Sequence, residues 1–69
     1  MSIMKSLLHD LMQLVIKTDL PDDITAKQII TLDPFKQAVE RCKRLMVEEP
    51  DILVAIARGL EKKKERQAA

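Results

Sequence analysis

Residues 2–17 read SIMKSLLHDLMQLVIK, and the apolar positions of this stretch repeat with the period of an α-helix. Leu7, Leu11 and Leu14 form one stripe along the helix, and a second apolar stripe runs beside it. The members of the second stripe are Met4, Leu8, Met12 and Val15. Together the stripes cover about half the circumference, which is wider than the roughly 100° apolar face of an ordinary surface helix. This first helix is therefore predicted to pack on two sides.

The size of the chain suggests what the second stripe packs against. A chain of 69 residues buries only about 60% of its unfolded surface, and its stability is therefore marginal. Cys42 is the single cysteine and His9 the single histidine, so neither an intrachain disulfide nor a structural zinc site can be built. We therefore assign Leu7, Leu11 and Leu14 to the core of the chain. The second stripe is assigned to an interface, either in a homodimer or with a target protein.

The rest of the sequence predicts two more long helices. Asp33 is a suitable N-cap and Pro34 a suitable first residue for a helix over 34–47, with an apolar stripe formed by Phe35, Ala38, Val39, Cys42, Leu45 and Met46. A last helix is predicted over 50–66, with a buried stripe formed by Ile52, Leu53, Ile56, Ala57 and Leu60. Segment 24–32, ITAKQIITL, is predicted as a short helix or an extended linker. The fold class is therefore all-α, with residues 1–69 forming one small helical domain.

Two features of the last helix bear on its contacts. Ala55 and Gly59 are small residues four apart, which would let another backbone come close. The helix then runs into a basic tail, residues 62–69, which contains three consecutive lysines. Lysines near a helix C-terminus complement the helix dipole, and like-charged pairs four residues apart predict that this tail frays. The tail is interpreted either as a solvated helix end or as a weak contact with an acidic partner.

The sequence offers few groups for catalysis. His9 and Asp10 are adjacent and therefore point about 100° apart on a helix, and no second histidine exists to complete a metal site. Cys42 lies within an apolar stripe, and buried structural cysteines are inert. Gly59 is the only glycine, so there is no glycine-rich phosphate loop. We therefore predict a protein that is not an enzyme and that carries no metal and no cofactor.

The apolar N-terminal stretch raises the question of a targeting or membrane segment. His9, Asp10 and Gln13 interrupt it, whereas a secretory signal needs an unbroken apolar core. No stretch reaches the roughly 18 apolar residues of a membrane span, and we expect no membrane partner. A lone cysteine fits a reducing compartment. The predicted location is the cytoplasm.

These features favour binding over catalysis as the function. Small chains without catalytic groups commonly act on other proteins, so we expect a regulator, an adaptor or inhibitor that docks on a larger protein. A phage or mobile-element inhibitor of a host regulator is one concrete form, and a purely structural assembly subunit stays open. The expected partners are a second copy of the chain and a larger protein. Nucleic acid is not expected, because the net charge is only +1 and Phe35 is the only aromatic residue.

An alternative function follows from the order of elements in residues 24–66. A strand at IITLDP followed by two helices, the second at ILVAIARGL, resembles the ribbon-helix-helix layout. In that layout two chains pair their strands, and the ribbon enters the major groove. The resemblance implies a dimeric DNA-binding repressor. Two features depart from it: EEPD puts three carboxylates where the family binds a DNA phosphate, and the outward strand face would carry Lys27 as its one cation.

Overall fold

The computed structural model describes the backbone of residues 3–68 and the side chains of residues 5–66. The described residues form four helices and no strand. The helices are α1 (Ile3–Lys17), α2 (Ala26–Ile29), α3 (Asp33–Arg44) and α4 (Glu49–Ala68). The prediction of an all-α chain with three main helices is confirmed over this part of the sequence. Ser2, the first residue of the predicted first helix, lies outside the described residues.

Segment 24–32 contains the short helix α2 rather than a strand. The Thr25 hydroxyl accepts a hydrogen bond from the backbone N–H of Gln28 at 3.3 Å, and the Gln28 side-chain oxygen accepts one from the Thr25 N–H at 2.9 Å. This reciprocal capping box satisfies two N–H groups that a helix start otherwise leaves free. Of the two predicted forms, the short helix is confirmed. The described residues therefore hold no strand that could form the ribbon of the ribbon-helix-helix layout.

The start of α3 differs by one residue from the prediction. The helix already includes Asp33, and the N-cap is Leu32, which makes no side-chain hydrogen bond there. Asp33 instead lies in the first turn, where a carboxylate is stabilised by the positive end of the helix dipole. Pro34 still occupies one of the first two helical positions, where its missing N–H costs nothing.

The end of α3 comes earlier than the predicted boundary at residue 47. Leu45 is the C-cap, and Met46 adopts a left-handed conformation with a φ of 66°. The N–H of Val47 donates to the carbonyl of Cys42 and the N–H of Met46 to that of Lys43, both at 3.0 Å, which is the Schellman pattern. Leu45 and Met46 were placed in the apolar stripe of this helix, but the reversal of the chain leaves them 46% and 85% exposed.

Helices α1 and α4 pack side by side and run in the same direction. Gly59 of α4 lies against Met12 and Val15 of α1. Further along both helices, the ammonium of Lys63 donates a hydrogen bond to the backbone carbonyl of Thr18. A Cβ atom added at Gly59 would be 2.9 Å from the Val15 Cβ and 3.0 Å from the Met12 carbonyl oxygen. The prediction that Gly59 admits another backbone is confirmed, and that backbone is α1.

The core lies where α2 and α3 cover one side of this helix pair. Phe35, the only aromatic residue, is fully buried. The other buried members of the cluster are Leu11, Val15, Ile29, Val39, Cys42, Val47, Ile52 and Ile56. Leu7 and Leu14 pack against it as partly buried side chains, as their assignment to the core predicts, and Leu8, which was assigned to the interface, packs against it as well. Ala57, which was predicted to be buried, is exposed because it lies away from the stripe defined by Ile52 and Ile56.

Candidate functional site: the α1–α4 groove

The residues of the second apolar stripe of the first helix differ in burial and do not form one exposed surface. Leu8 and Met12 are half-buried, whereas Val15 is fully buried with 0% exposure. Assigning Val15 to the interface is therefore corrected: it belongs to the chain's own core, where the absence of a side chain at Gly59 lets α4 cover it. The Met4 side chain lies outside the described residues. Leu8 and Met12 remain as the α1 residues that a second chain could contact.

Leu8 and Met12 open onto a groove of about 440 Å³ that is lined only by α1 and α4. We call it the α1–α4 groove. Its apolar lining is completed by Val54, which is 51% exposed, and Ala55, which is 8% exposed. The four side chains combine a flexible methionine with aliphatic groups, and methionine suits surfaces that adapt to a partner. The groove is therefore an apolar surface that the described part of the chain leaves uncovered.

Polar groups complete the lining of the α1–α4 groove. Lys5 and His9 come from α1, and Asp51 and Arg58 come from α4. All four residues are exposed. An apolar centre with charged groups at its edge is the usual composition of a protein–protein contact. Both signs of charge are present, so a partner needs charges of both signs to match them.

The α4 half of the groove was missed by the sequence analysis. The buried stripe predicted for this helix contains Ile52 and Ile56, and Val54 lies outside it. The signal that could have found it is a valine on the opposite face of an amphipathic helix. Asp51 was considered only as one of the three carboxylates of EEPD, and Arg58 was not considered.

One of the three consecutive lysines has a structural role. Lys63 is half-buried, and its ammonium binds the Thr18 carbonyl just beyond the C-terminus of α1. The Thr18 hydroxyl and N–H both donate to the Leu14 carbonyl, at 2.7 and 3.0 Å. A cation at this position stabilises the negative end of the α1 dipole. Lys62 and Lys64 are exposed, and α4 continues through the predicted frayed tail as far as Ala68.

The candidate reactive groups do not come together. Cys42 is 1% exposed, and its burial raises the pKa of the thiol, an effect that the nearby charge of Arg41 opposes. A raised pKa reduces the thiolate fraction at neutral pH and with it the reactivity of the thiol. His9 is exposed and lies in the groove, away from Cys42. Within residues 3–68 no three His, Cys, Asp or Glu side chains are grouped so that they could hold a metal ion.

Two further findings concern membrane-spanning helices and similarity to known proteins. Among the described helices, none combines the length and the apolar character needed to cross a membrane. Comparison with protein-family models, with curated proteins and with solved structures gives no match for this chain. The groove and the residues that line it are therefore the features from which a function is inferred.

Proposed function

We propose that the chain is a non-enzymatic cytoplasmic regulator that binds a larger protein through the α1–α4 groove. The observation that carries the proposal is the apolar lining of the groove, in which Leu8 and Met12 are half-buried and Val54 is 51% exposed. Apolar side chains that line one groove together, with polar groups around them, make that groove a candidate interaction site. The occupant we propose is an amphipathic helix of the target, because a groove between two helices fits the apolar face of a third.

The charges around the groove add to this proposal. Lys5 and Arg58 provide cations, and Asp51 provides an anion near the start of α4. A target helix that carries charges of both signs beside its apolar face would match them. Charge matching mainly sets specificity and association rate, whereas the apolar contact supplies most of the affinity.

The homodimer predicted from the first helix remains part of the proposal. A second copy would use the same face, because Leu8 and Met12 are the described members of the predicted interface that are not fully buried. The small size of the chain also favours association, since a dimer buries apolar surface that a chain of this length exposes alone.

Affinity purification followed by mass spectrometry, from cells that express the chain, tests the proposed function. Wild type is compared with Leu8→Glu, which puts a charge into the groove, and with Gln37→Glu, which adds the same charge at an exposed position of α3. Val54→Glu is a second groove variant; it starts from a side chain that is already 51% exposed and therefore disturbs the fold least. Circular dichroism confirms that each variant is folded.

We expect a target that is retained by wild type and Gln37→Glu and lost with both groove variants. Binding of the purified target to the purified chain then confirms a direct contact. Retention of the same target by folded Leu8→Glu and Val54→Glu would contradict the proposed site. Failure of wild type to retain any protein would contradict the proposed function.

A further inference from the structure

The charged residues of α4 that line the groove are arranged symmetrically about its centre. Asp51 and Arg58 are seven residues apart, which is two helical turns or about 10 Å on one face of the helix. Val54 and Ala55 lie midway between them, and all four line the groove. A surface that carries an anion at one end and a cation at the other is complementary to a copy of itself turned through 180°.

We infer that a second copy of this chain occupies the α1–α4 groove, with the two α4 helices antiparallel about a twofold axis at Val54 and Ala55. In this arrangement Asp51 of each copy faces Arg58 of the other, which gives two ion pairs for one contact. Twofold dimers are the commonest oligomers, and their interfaces are self-complementary in this way. The inference rests on the proposed function, since it specifies the second copy as one occupant of the same groove.

The apolar residues fit the same axis. Val54 of one copy meets Ala55 of the other, and the small Ala55 side chain lets the two helices approach. On α1 the axis passes close to Leu8 and His9, because Gly59 lies against Met12 and Val15 and the two helices run in the same direction. Lys5 of one copy then lies over Met12 of the other, where its aliphatic stem can cover apolar surface while the ammonium stays in water.

A second twofold arrangement is possible, in which α4 of one copy lies parallel to α1 of the other. It would pair Asp51 with Lys5 and leave Arg58 over Met12. The antiparallel arrangement is preferred because a guanidinium can bind a carboxylate through two parallel hydrogen bonds, which a lysine cannot. The two arrangements differ in whether Arg58 takes part, and this difference can be measured.

The dimer has a consequence for target binding. Because the second copy covers Leu8, Met12 and Val54, a target helix has to displace it before it can reach the groove. Self-association would therefore hold the regulator inactive, and the concentration of the chain would set how much groove is free. A target that binds the groove should dissociate the dimer in proportion to its own concentration.

Sedimentation equilibrium of full-length charge-reversal variants tests the inference. Asp51→Arg and Arg58→Asp each replace two attractive pairs by two repulsive ones, and each should weaken dimerisation roughly tenfold or more. The double variant re-forms both pairs with opposite polarity and should return the dissociation constant to within about threefold of wild type. Glu49→Arg is the control for Asp51→Arg, because it also removes a carboxylate from the first turn of α4 but does not line the groove.

The outcomes separate the possibilities. A wild-type chain that stays monomeric up to about 100 μM would overturn the inference, as would a double variant that is no more dimeric than either single variant. Weakening by Asp51→Arg without weakening by Arg58→Asp would replace the antiparallel arrangement by the parallel one. A restored dimer together with a target that still binds Leu8→Glu would leave the inference intact and contradict the proposed function.

Discussion

The two sides of the α1–α4 helix pair differ in what covers them. On the core side, α2 and α3 close over Leu11 and Val15, which are 1% and 0% exposed. On the groove side, Leu8 is only half-buried and Val54 is 51% exposed. Leucine and valine side chains from the same helix pair occur on both sides, but on the groove side they are mixed with polar and charged residues. The difference shows that apolar periodicity indicates which residues need a partner but not which partner they obtain.

Substitution of Leu11 by alanine should separate the two sides most clearly. Loss of a buried leucine costs about 2–5 kcal/mol, against a total stability of roughly 5 kcal/mol for a small domain. Leu11→Ala should therefore unfold much of the protein. Val54→Ala, on the groove side, should change the free energy of unfolding by about 0.5 kcal/mol or less. Urea denaturation followed by circular dichroism at low protein concentration checks both, and similar losses in the two variants would contradict the assignment of sides.

Gly59 controls how closely the two helices approach. Alanine normally stabilises a helix interior relative to glycine by about 0.5–1 kcal/mol, but here its Cβ would meet the Val15 Cβ at 2.9 Å and a backbone oxygen at 3.0 Å. Gly59→Ala should therefore lower the free energy of unfolding by about 1–3 kcal/mol.

Ala57→Gly, at an exposed position of the same helix, measures the propensity term alone. Thermal and urea denaturation of the two variants separates the helix-propensity effect of alanine from the steric effect of its Cβ against α1. An increase in stability for Gly59→Ala would show that the helices are further apart than the structure has them.

Substitution of Lys63 tests the contact between α4 and the C-terminal end of α1. Lys63→Met keeps most of the apolar stem but removes the ammonium that binds the Thr18 carbonyl, and should destabilise the fold by about 0.5–1 kcal/mol. Lys62→Met, from an exposed neighbour, should have a smaller effect. Equal effects in denaturant titrations would mean that the lysines act only through general charge.

Substitution of Met46 should raise the free energy of unfolding, whereas the substitutions above should lower it. A residue other than glycine is strained at a φ of 66°, and Met46 is 85% exposed and has little packing to lose. Met46→Gly should therefore stabilise the fold by about 0.5–1 kcal/mol. Leu45→Gly, at a neighbouring position with a negative φ, should destabilise it. A loss of stability in both variants, measured as a shift in the midpoint of thermal unfolding, would contradict the described corner.

The sequence predicts the local features of this fold well and the long-range ones only in part. The three main helices follow from periodicity, and α2 was one of the two forms predicted for segment 24–32. The end of α3 was missed because the Schellman turn places a methionine where glycine is usual. The burial of Val15 was missed because it depends on a contact with Gly59, which lies far away in the sequence. The α4 half of the groove likewise depends on how two distant helices pair.

We propose that another copy of the chain binds on the groove side of the helix pair. Sedimentation equilibrium of Val54→Glu beside Ala57→Glu tests it directly, because both add one charge to an exposed position of α4 and only residue 54 lines the groove. We expect wild type and Ala57→Glu to be dimers. Val54→Glu should be a monomer whose circular dichroism shows the same helix content as wild type. A monomeric wild type, or a Val54→Glu variant that dimerises as tightly as Ala57→Glu, would contradict it.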